Sequence, residues 1–564
     1  MNKKFDRIIK FISSNILRWS CDLSSRSKRL AILALFFGAS YSLIAYEIYF
    51  LCVDTDYSDR KVSDRNFKPR HDILDRNGHI LATNLPVASL YANPKKIHNL
   101  NDTVKKLSTV IPNLDTKKLL SEFSKEGRNF VWIKRDVTPE VQEKITALGL
   151  PGIDFENDQK RVYTQGKAAS HILGYVDVDN NGISGIEKYF DSELSNTSSE
   201  KPLTLSIDYR IQNIVSEQLD DVIETFSAIG GVGIVVDIKT GEILASVSKP
   251  DFDPHRPSIA SHNELFNRSS LGLYEMGSIL KIITFAIGFD TDTIQMHDVY
   301  NVSDFTINKF RVKDYHRHDG WSTVPQLFMK SSNIGSATIT FEIGNKVYKE
   351  YLQKLDLTKK LDIEVLEKAT PKFPKDKEWS DISLVTMSYG YGFSISPFHF
   401  VQSMIPIVNG GYKYSLTLLK RSEEEIVKEK VLSEETSFNI LKLMRLTVEK
   451  GTGKRAAVKG YLVGGKTGTA EKLGPKGYLK NSRFSSFIAT VPSINPRYMV
   501  FVFLDDPQGT KETFGFGTAG YTAAPVAGNI ISRIGSLYGI QLYDEDSEDI
   551  KKIMHVEYDI DHEV

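Results

Sequence analysis

Cysteine is almost absent from this sequence of 564 residues, which contains only Cys21 and Cys52. A disulfide framework is therefore excluded for everything after residue 52, and so are cysteine-rich zinc or iron–sulfur sites. Charge of one sign is not in excess either, because Lys plus Arg and Asp plus Glu total 71 each. No global charge points to nucleic acid or to an acidic polymer as a partner. Long apolar runs are also missing after residue 53.

The first 53 residues contain the one apolar stretch of membrane-spanning length. Residues 30–46 carry no charge, and the apolar run resumes after Glu47. A bilayer core requires about 20 mostly apolar residues. Eight basic residues against two acidic ones precede the stretch, an excess that holds an N-terminus in the cytoplasm. A cleaved signal peptide is the alternative, but no small-residue cleavage site follows. We predict a cytoplasmic segment over residues 1–29 and a single transmembrane helix over residues 30–53.

The rest of the sequence divides into two domains and a tail. Short strands mixed with helical patches predict an α+β domain over residues 54–200. Residues 201–542 have strands early and late with long helical patterns between them, so we expect one sheet that joins both ends of this domain. Residues 543–564 are rich in acidic side chains, which predicts a disordered tail.

Ser278 opens a nearly continuous apolar stretch in which Lys281 is the only charged residue up to residue 286. Positions i and i+3 share a helix face, so Lys281 is expected beside Ser278 at the start of a buried helix. Burial disfavours the ammonium, lowers its pKa and allows a neutral amine to accept a proton. A hydroxyl nucleophile needs such a base. The alternative, a surface lysine beside a helix-capping serine, does not explain a charge within an apolar helix.

A second motif, Ser331-Ser332-Asn333, follows the helical patch 324–330. Its hydroxyl and amide groups can pass protons and hold a peptide carbonyl. Taken alone, however, a turn or a helix cap is the better interpretation of such a tripeptide.

A third motif, Lys466-Thr467-Gly468-Thr469, follows two glycines. As an edge strand it offers a cation and two hydroxyls to a substrate carboxylate. Its glycine lets the substrate approach the backbone closely. An earlier Lys239-Thr240-Gly241 lies in a predicted hairpin turn, and we do not assign it a catalytic role.

In this order the three motifs resemble the set shared by penicillin-binding proteins and serine β-lactamases, with Ser332 at the middle position of the second motif. The resemblance implies the α/β penicillin-recognising fold for residues 201–542. It implies catalytic roles for Ser278, Lys281, Ser331 and Asn333, and substrate binding by Lys466, Thr467, Gly468 and Thr469. It also implies an oxyanion hole formed by the backbone N–H groups of Ser278 and Thr469.

The similarity extends from residue 70 to about residue 540. Residues 70–78 and 161–174 resemble the N-terminal pedestal, or dimerisation-like, domain of class B penicillin-binding proteins. Residues 89–94 and 509–525 are similar to the septal, cell-division members of that class rather than to the elongation members. The sequence departs from the family pattern at His71, Thr164 and Met276.

The resemblance implies a septal peptidoglycan D,D-transpeptidase that forms a serine acyl-enzyme and is a target of β-lactams. A D,D-carboxypeptidase or β-lactam hydrolase, an elongation-type transpeptidase, and a non-catalytic scaffold or sensor are the alternatives. A Glu-x-x-Leu-Asn motif, which would supply a deacylating glutamate, is not found between Asn333 and Lys466. The intact nucleophile and base argue against a dead enzyme.

The implied partners are peptidoglycan stem peptides ending in D-Ala-D-Ala, a membrane-embedded glycan polymerase and other divisome proteins. The implied location is the bacterial inner membrane, with the catalytic domain in the periplasm. We expect no cofactor. Residues 314–319 combine His and Asp side chains, but a polar loop is a better interpretation of them than a metal site.

Overall fold

The computed structural model describes residues 25–53, 70–196, 201–315, 320–375 and 379–559. Residues 1–24 of the predicted cytoplasmic segment and residues 54–69 of the predicted N-terminal domain lie outside these residues. Helix α1 (Ser25–Val53) belongs to a first unit that ends at Phe67, and both domains belong to a second unit that begins at Lys68. Within the described residues, no helix is both long enough and apolar enough to cross a membrane. The boundaries of a transmembrane helix therefore stay a prediction.

The N-terminal domain is built on a mixed sheet with the strand order β3-β2-β1-β5, and β4 also pairs with β2. Its strands are β1 (Ile73–Leu74), β2 (Ile80–Ala92), β3 (Val131–Val137), β4 (Ile153–Tyr163) and β5 (Leu203–Thr204). Its helices are α2 (Leu100–Val110), α3 (Thr116–Phe123), α4 (Pro139–Ala147), α5 (Ser170–Leu173), α6 (Gly185–Tyr189) and α7 (Asp191–Leu194). Strands and helices are thus mixed in this domain, as the sequence predicted.

A buried ion cluster holds the N-terminal domain together. Glu187 is fully buried and accepts hydrogen bonds from Arg70 Nε at 2.9 Å and from Arg161 Nε at 2.7 Å. Arg70 also pairs with Asp191 at 2.7 Å. Buried charges are tolerated only when they are paired and hydrogen-bonded. Arg70 and Arg161, one from each of the sequence signatures at 70–78 and 161–174, therefore have a structural role in this domain.

The second domain contains a five-stranded antiparallel sheet with the order β14-β15-β16-β6-β7. These strands are β6 (Gly230–Asp237), β7 (Ile243–Lys249), β14 (Gly464–Gly474), β15 (Gly477–Val491) and β16 (Tyr498–Asp505). Strands β8 (Val299–Asn301), β9 (Phe305–Ile307), β10 (Phe310–Val312), β11 (Trp321–Thr323), β12 (Tyr412–Lys413) and β13 (Glu429–Lys430) form three small two-stranded sheets. The five-stranded sheet joins early and late segments of the domain, which confirms the prediction.

Helices cover both faces of the five-stranded sheet. Side chains along a strand alternate between the two faces, and here both sets are apolar and buried. Val235 and Val500 face the helices α8 (Tyr209–Thr225) and α17 (Ala523–Tyr538). Ile234 and Phe501 face the opposite, larger core. The remaining helices are α9 (His262–Leu265), α10 (Lys281–Asp290), α11 (Val324–Met329), α12 (Asn333–Ile343), α13 (Asn345–Lys354), α14 (Asp381–Ser388), α15 (Pro397–Val408), α16 (Glu434–Glu449) and α18 (Glu548–Met554).

The prediction of a disordered tail over residues 543–564 is wrong for the part that the structure describes, which ends at residue 559. Ser547 caps helix α18, and Met554 and Val556 are buried. Glu545 pairs with the buried Arg445 at 2.7 Å. The acidic composition of this segment indicated disorder, but Met554, Val556 and the ion pair of Glu545 attach it to the second domain.

Candidate active site

The turn that carries Ser278 is a short 3₁₀ helix, Gly277–Leu280, which leads directly into α10. In a 3₁₀ helix the side chains at i and i+3 eclipse each other, so Lys281 lies on the same face as Ser278. Gly277 has a φ of +59° and donates its N–H to Gly390 O at 3.1 Å. A Cβ at Gly277 would lie 2.9 Å from Thr469 O. Glycine is required here because the turn presses against β14.

Lys281 is completely buried, as its apolar surroundings in the sequence predicted. Its Nζ donates to Asn333 Oδ1 at 2.8 Å, to Ser331 Oγ at 3.1 Å and to Ser331 O. Burial holds the pKa of Lys281 well below its ordinary value, the charge of Lys466 lowers that pKa further, and Asp314 opposes the shift. A lowered pKa makes the neutral amine accessible, and a neutral amine is the form that accepts a proton.

Ser331 lies between the two lysines of the site. Its Oγ accepts a hydrogen bond from Lys281 Nζ at 3.1 Å and one from Lys466 Nζ at 2.9 Å. Its backbone adopts a left-handed conformation with a φ of +60°, which non-glycine residues rarely do. Such backbone strain often occurs at functional sites, where the surroundings hold it in place. Ser331 therefore connects the amine beside the nucleophile with the amine on β14.

Lys466 lies on β14 at the edge of the five-stranded sheet and is fully buried. Burial lowers its pKa to about 7, so that neutral and charged forms coexist near physiological pH. The ring of Phe328 lies 5.8 Å from its Nζ. An ammonium at this position has a strong tendency to bind an anion, because pairing would offset the cost of burying its charge.

The other three residues of the third motif continue along β14. The Thr467 hydroxyl lies 2.6 Å from the Thr452 hydroxyl, and Thr469 Oγ1 accepts a hydrogen bond from Ala519 N at 3.4 Å. A Cβ at Gly468 would lie 2.9 Å from Ile279 Cγ2 and 3.0 Å from Met276 O. We expected this glycine to admit substrate, whereas in the structure it admits the turn that carries Ser278. This contact packs the turn that carries Ser278 against β14.

The structure thus brings Lys281, Ser331, Asn333 and Lys466 into direct contact, with Ser278 on the same helical face as Lys281. Thr467, Gly468 and Thr469 lie on the adjoining edge strand. The discarded Lys239-Thr240-Gly241 lies at the turn between β6 and β7, where Gly241 has a φ of +71°. Turn geometry explains that tripeptide, as we expected.

Asp314 is a site residue that the sequence analysis did not identify. Its carboxylate accepts hydrogen bonds from Ser332 Oγ at 2.7 Å, from Ile334 N at 3.0 Å and from Asn333 N. A carboxylate at a helix N-terminus satisfies otherwise unpaired N–H groups and complements the helix dipole. Asp314 therefore fixes the start of α12, where the second motif lies. An acidic residue in a polar loop was the only signal in the sequence, and it did not indicate this contact.

Glu275 is a second residue that the sequence analysis missed. It is buried, and its Oε1 accepts hydrogen bonds from Gly392 N at 2.7 Å and from Tyr478 OH at 3.1 Å. Burial raises the pKa of this carboxyl. Because Glu275 lies three residues before Ser278, it links the Ser278 turn to the loop at 390–392 and to strand β15. Its position shortly before the nucleophile was the only signal in the sequence.

In the described part of the chain, no group of three or more His, Cys, Asp or Glu side chains could hold a metal ion. His316, His318 and Asp319, which belong to the loop weighed as a metal site, lie outside the described residues.

Comparison with known proteins links this geometry to one family. The sequence matches the model of the penicillin-binding protein transpeptidase domain over residues 231–532 and that of the penicillin-binding protein dimerisation domain over residues 67–219. The probable peptidoglycan D,D-transpeptidase FtsI of Caulobacter vibrioides is 36% identical over 489 residues, which is 84% of this chain and 82% of that protein. The peptidoglycan D,D-transpeptidase FtsI of Escherichia coli K12 is 28% identical over 492 residues, 82% of each chain.

Solved structures share the fold. The chain is similar to penicillin-binding protein 3 of Mycobacterium tuberculosis in complex with aztreonam, with a TM-score of 0.67 and 22% identity. The similarity covers 84% of this chain and 97% of that one. It supports the two-domain architecture, in which an N-terminal domain precedes the transpeptidase domain.

Proposed function

This chain belongs to the class B penicillin-binding proteins of the cell-division type, and from that membership we propose that it is a peptidoglycan D,D-transpeptidase that cross-links stem peptides at the septum. The observation that carries the proposal is the contact of Lys281 and Lys466 with the single hydroxyl of Ser331. This arrangement supplies a base, a proton carrier and an anion site beside a serine nucleophile.

Acylation follows from these positions. Ser278 Oγ attacks the carbonyl of the penultimate D-Ala, and its proton passes to the neutral amine of Lys281. The carbon–nitrogen bond to the terminal D-Ala breaks, and the leaving amine receives the proton by way of Ser331. Asn333 holds Lys281 in place through its Oδ1. The product is an ester between Ser278 and the donor peptide.

In the second half-reaction an amine attacks and Ser278 is the leaving group, so the proton moves in the opposite direction. The amine of a neighbouring stem peptide attacks the ester, its surplus proton returns to Ser278 through the same groups, and a new peptide bond forms. In a β-lactam the broken bond belongs to a ring, so no leaving group departs and the acyl-enzyme persists. We assign the terminal carboxylate to Lys466, Thr467 and Thr469, and the oxyanion to the N–H groups of Ser278 and Thr469. The close approach of Gly277 to Thr469 O supports the second assignment.

The inner-membrane location is part of the proposal. The basic excess before residue 30 and the uncharged stretch 30–46 support a single-pass anchor with a periplasmic catalytic domain. Leu33, Phe36 and Leu43 of helix α1 are more than half exposed, which is the surface that a lipid-facing helix presents. We further propose that a membrane-embedded polymerase supplies the glycan strands and that other divisome proteins bind this chain, as the family resemblance implies.

Intact-mass spectrometry with benzylpenicillin tests the proposal. The protein should gain the mass of one penicilloyl group, and Ser278→Ala should gain none because the attacking oxygen is gone. Ser270→Ala, which changes another buried serine of the same domain, is the matched control and should still be acylated. An adduct that persists on Ser278→Ala would refute the assignment.

A further inference from the structure

The C-terminal segment of residues 542–558, called here the C-terminal strap, lies beyond residue 532, where the family match ends. The strap begins shortly after α17, which ends at Tyr538. It contains helix α18 and extends to Tyr558. Among its contacts with the second domain, two sets involve residues that are close in sequence to a residue of the active site.

The first contact is made by Glu545. Its Oε1 accepts a hydrogen bond from Gly460 N at 2.6 Å, and its Oε2 accepts one from Arg445 Nη2 at 2.7 Å. Arg445 is 5% exposed and also donates to Val463 O at 3.1 Å. Val463 immediately precedes β14, the strand that carries Lys466. The strap thus anchors the N-terminal end of the Lys466 strand through a buried guanidinium.

The second contact is apolar. Val556 is 8% exposed and packs in one cluster with Met329 and Leu446. The Thr323 hydroxyl, which caps α11, donates to Tyr558 O at 2.9 Å. Strap residues therefore contact both ends of α11, and Met329 lies two residues before Ser331.

Helix α11 has only six residues, and a helix of that length has little stability of its own. Its position must come from tertiary contacts. The strained backbone of Ser331 and the two hydrogen bonds to its hydroxyl require that this position be kept closely. An error of about 1 Å in a catalytic group can cost about a hundredfold in rate.

We propose that the C-terminal strap is a positioning element of the active site, which holds the Ser331 loop and the Lys466 strand in register so that one hydroxyl meets both amines. The inference rests on the proposed function, because Ser331 is taken to carry the proton. It predicts that the strap contributes to the acylation step more than to ligand binding. The residues assigned to ligand binding, which are Lys466, Thr467 and Thr469, all lie outside the strap.

The test compares the full-length protein with a version that ends at Tyr543. Benzylpenicillin acylation is followed by stopped flow, which separates the first-order acylation constant from the dissociation constant of the non-covalent complex. We expect the acylation constant to fall between about tenfold and about a hundredfold, with the dissociation constant within about twofold of the full-length value. A synthetic peptide of residues 544–559 should restore acylation in trans. Equal acylation constants in the two proteins would overturn the proposal.

Point variants keep the test valid if the shortened protein is unstable. Val556→Ala and Glu545→Gln should each slow acylation, whereas Ile553→Ala, on the same helix but 40% exposed, should not. Hydrogen exchange provides a readout that does not depend on acylation: residues 323–333 should exchange faster in Val556→Ala than in Ile553→Ala. Equal exchange in these two variants would also overturn the proposal. Failure of the proposed function would differ, because the full-length protein itself would then form no adduct.

Discussion

Replacing Lys466 by methionine tests the coupling between the two lysines. The change removes the charge and keeps most of the side-chain volume, so the buried site is not emptied. Both amines bond to the same oxygen, at 2.9 Å and 3.1 Å, and their nitrogens therefore lie no more than about 6 Å apart. At that distance two unit charges repel by about 0.7 kcal/mol in water and about 2.8 kcal/mol at an effective dielectric constant of about 20.

The sign of the effect follows directly. Lys466 lowers the pKa of Lys281 because a second positive charge disfavours protonation. Without that charge the pKa of Lys281 rises. The acid limb of the acylation profile should therefore move to higher pH. The shift should be clearest below about pH 7, where Lys466 itself is charged in the native protein.

Loss of the carboxylate contact adds a second, separable effect. A hydrogen bond to a charged group contributes about 1.5–3 kcal/mol, so acylation by a carboxylate-bearing β-lactam should fall by about tenfold to about a hundredfold. The assay is the pH dependence of benzylpenicillin acylation, repeated with an ester of the same β-lactam that lacks the carboxylate. Lys472→Met is the matched control, since Lys472 lies on the same strand but pairs with Asp505.

Two results would refute this reasoning. An acid limb that does not move would show that Lys466 has no influence on Lys281. A variant that still prefers the free carboxylate over the ester as strongly as the wild type would show that Lys466 is not the anchor.

Three further changes have definite expected outcomes. Lys281→Arg should acylate as slowly as Lys281→Ala, because arginine stays protonated and cannot act as a base; a near wild-type rate would contradict a base role. Asp314→Asn should move the acid limb to lower pH, opposite in sign to Lys466→Met, because the carboxylate of Asp314 raises the pKa of Lys281; an upward shift would contradict this. Glu187→Gln should lower the free energy of unfolding of the N-terminal domain by about 3–5 kcal/mol in urea titrations, because the buried Arg161 loses its carboxylate partner and Arg70 loses one of its two. The exposed Glu143→Gln should change the free energy of unfolding little.

The sequence predicted the local surroundings of the first motif, because these depend on short spacings, whereas the catalytic roles of the motif residues stay predictions. Lys281 was expected to be buried beside Ser278 from its apolar neighbours alone, and it is fully buried. The hairpin of β6 and β7 and the late strands β15 and β16 were also predicted, because their apolar residues form short runs between turn residues. Patterns of this kind are predictable from sequence because they depend only on residues that are close together in the chain.

Contacts across the fold were not predictable in the same way. Asp314 reaches the second motif from a polar loop 18 positions earlier, and no periodic pattern connects the two. Gly468 has a close neighbour in Ile279 because distant segments meet there, not because of its place in the motif. The strap was missed because acidic composition predicts disorder, whereas two buried apolar residues and one ion pair are enough to fix it in place.

The shared hydroxyl of Ser331 brings two lysine amines with lowered pKa values close together. Two ammonium ions buried around one oxygen are unfavourable, so one of the amines tends to be neutral. A carboxylate bound at Lys466, Thr467 and Thr469 stabilises the charged form of Lys466 in particular, because that amine is on the same strand as the threonines. Lys466 then carries the proton and Lys281 is left as the free base. On the proposed function, the group that anchors the substrate therefore also determines which amine can activate Ser278.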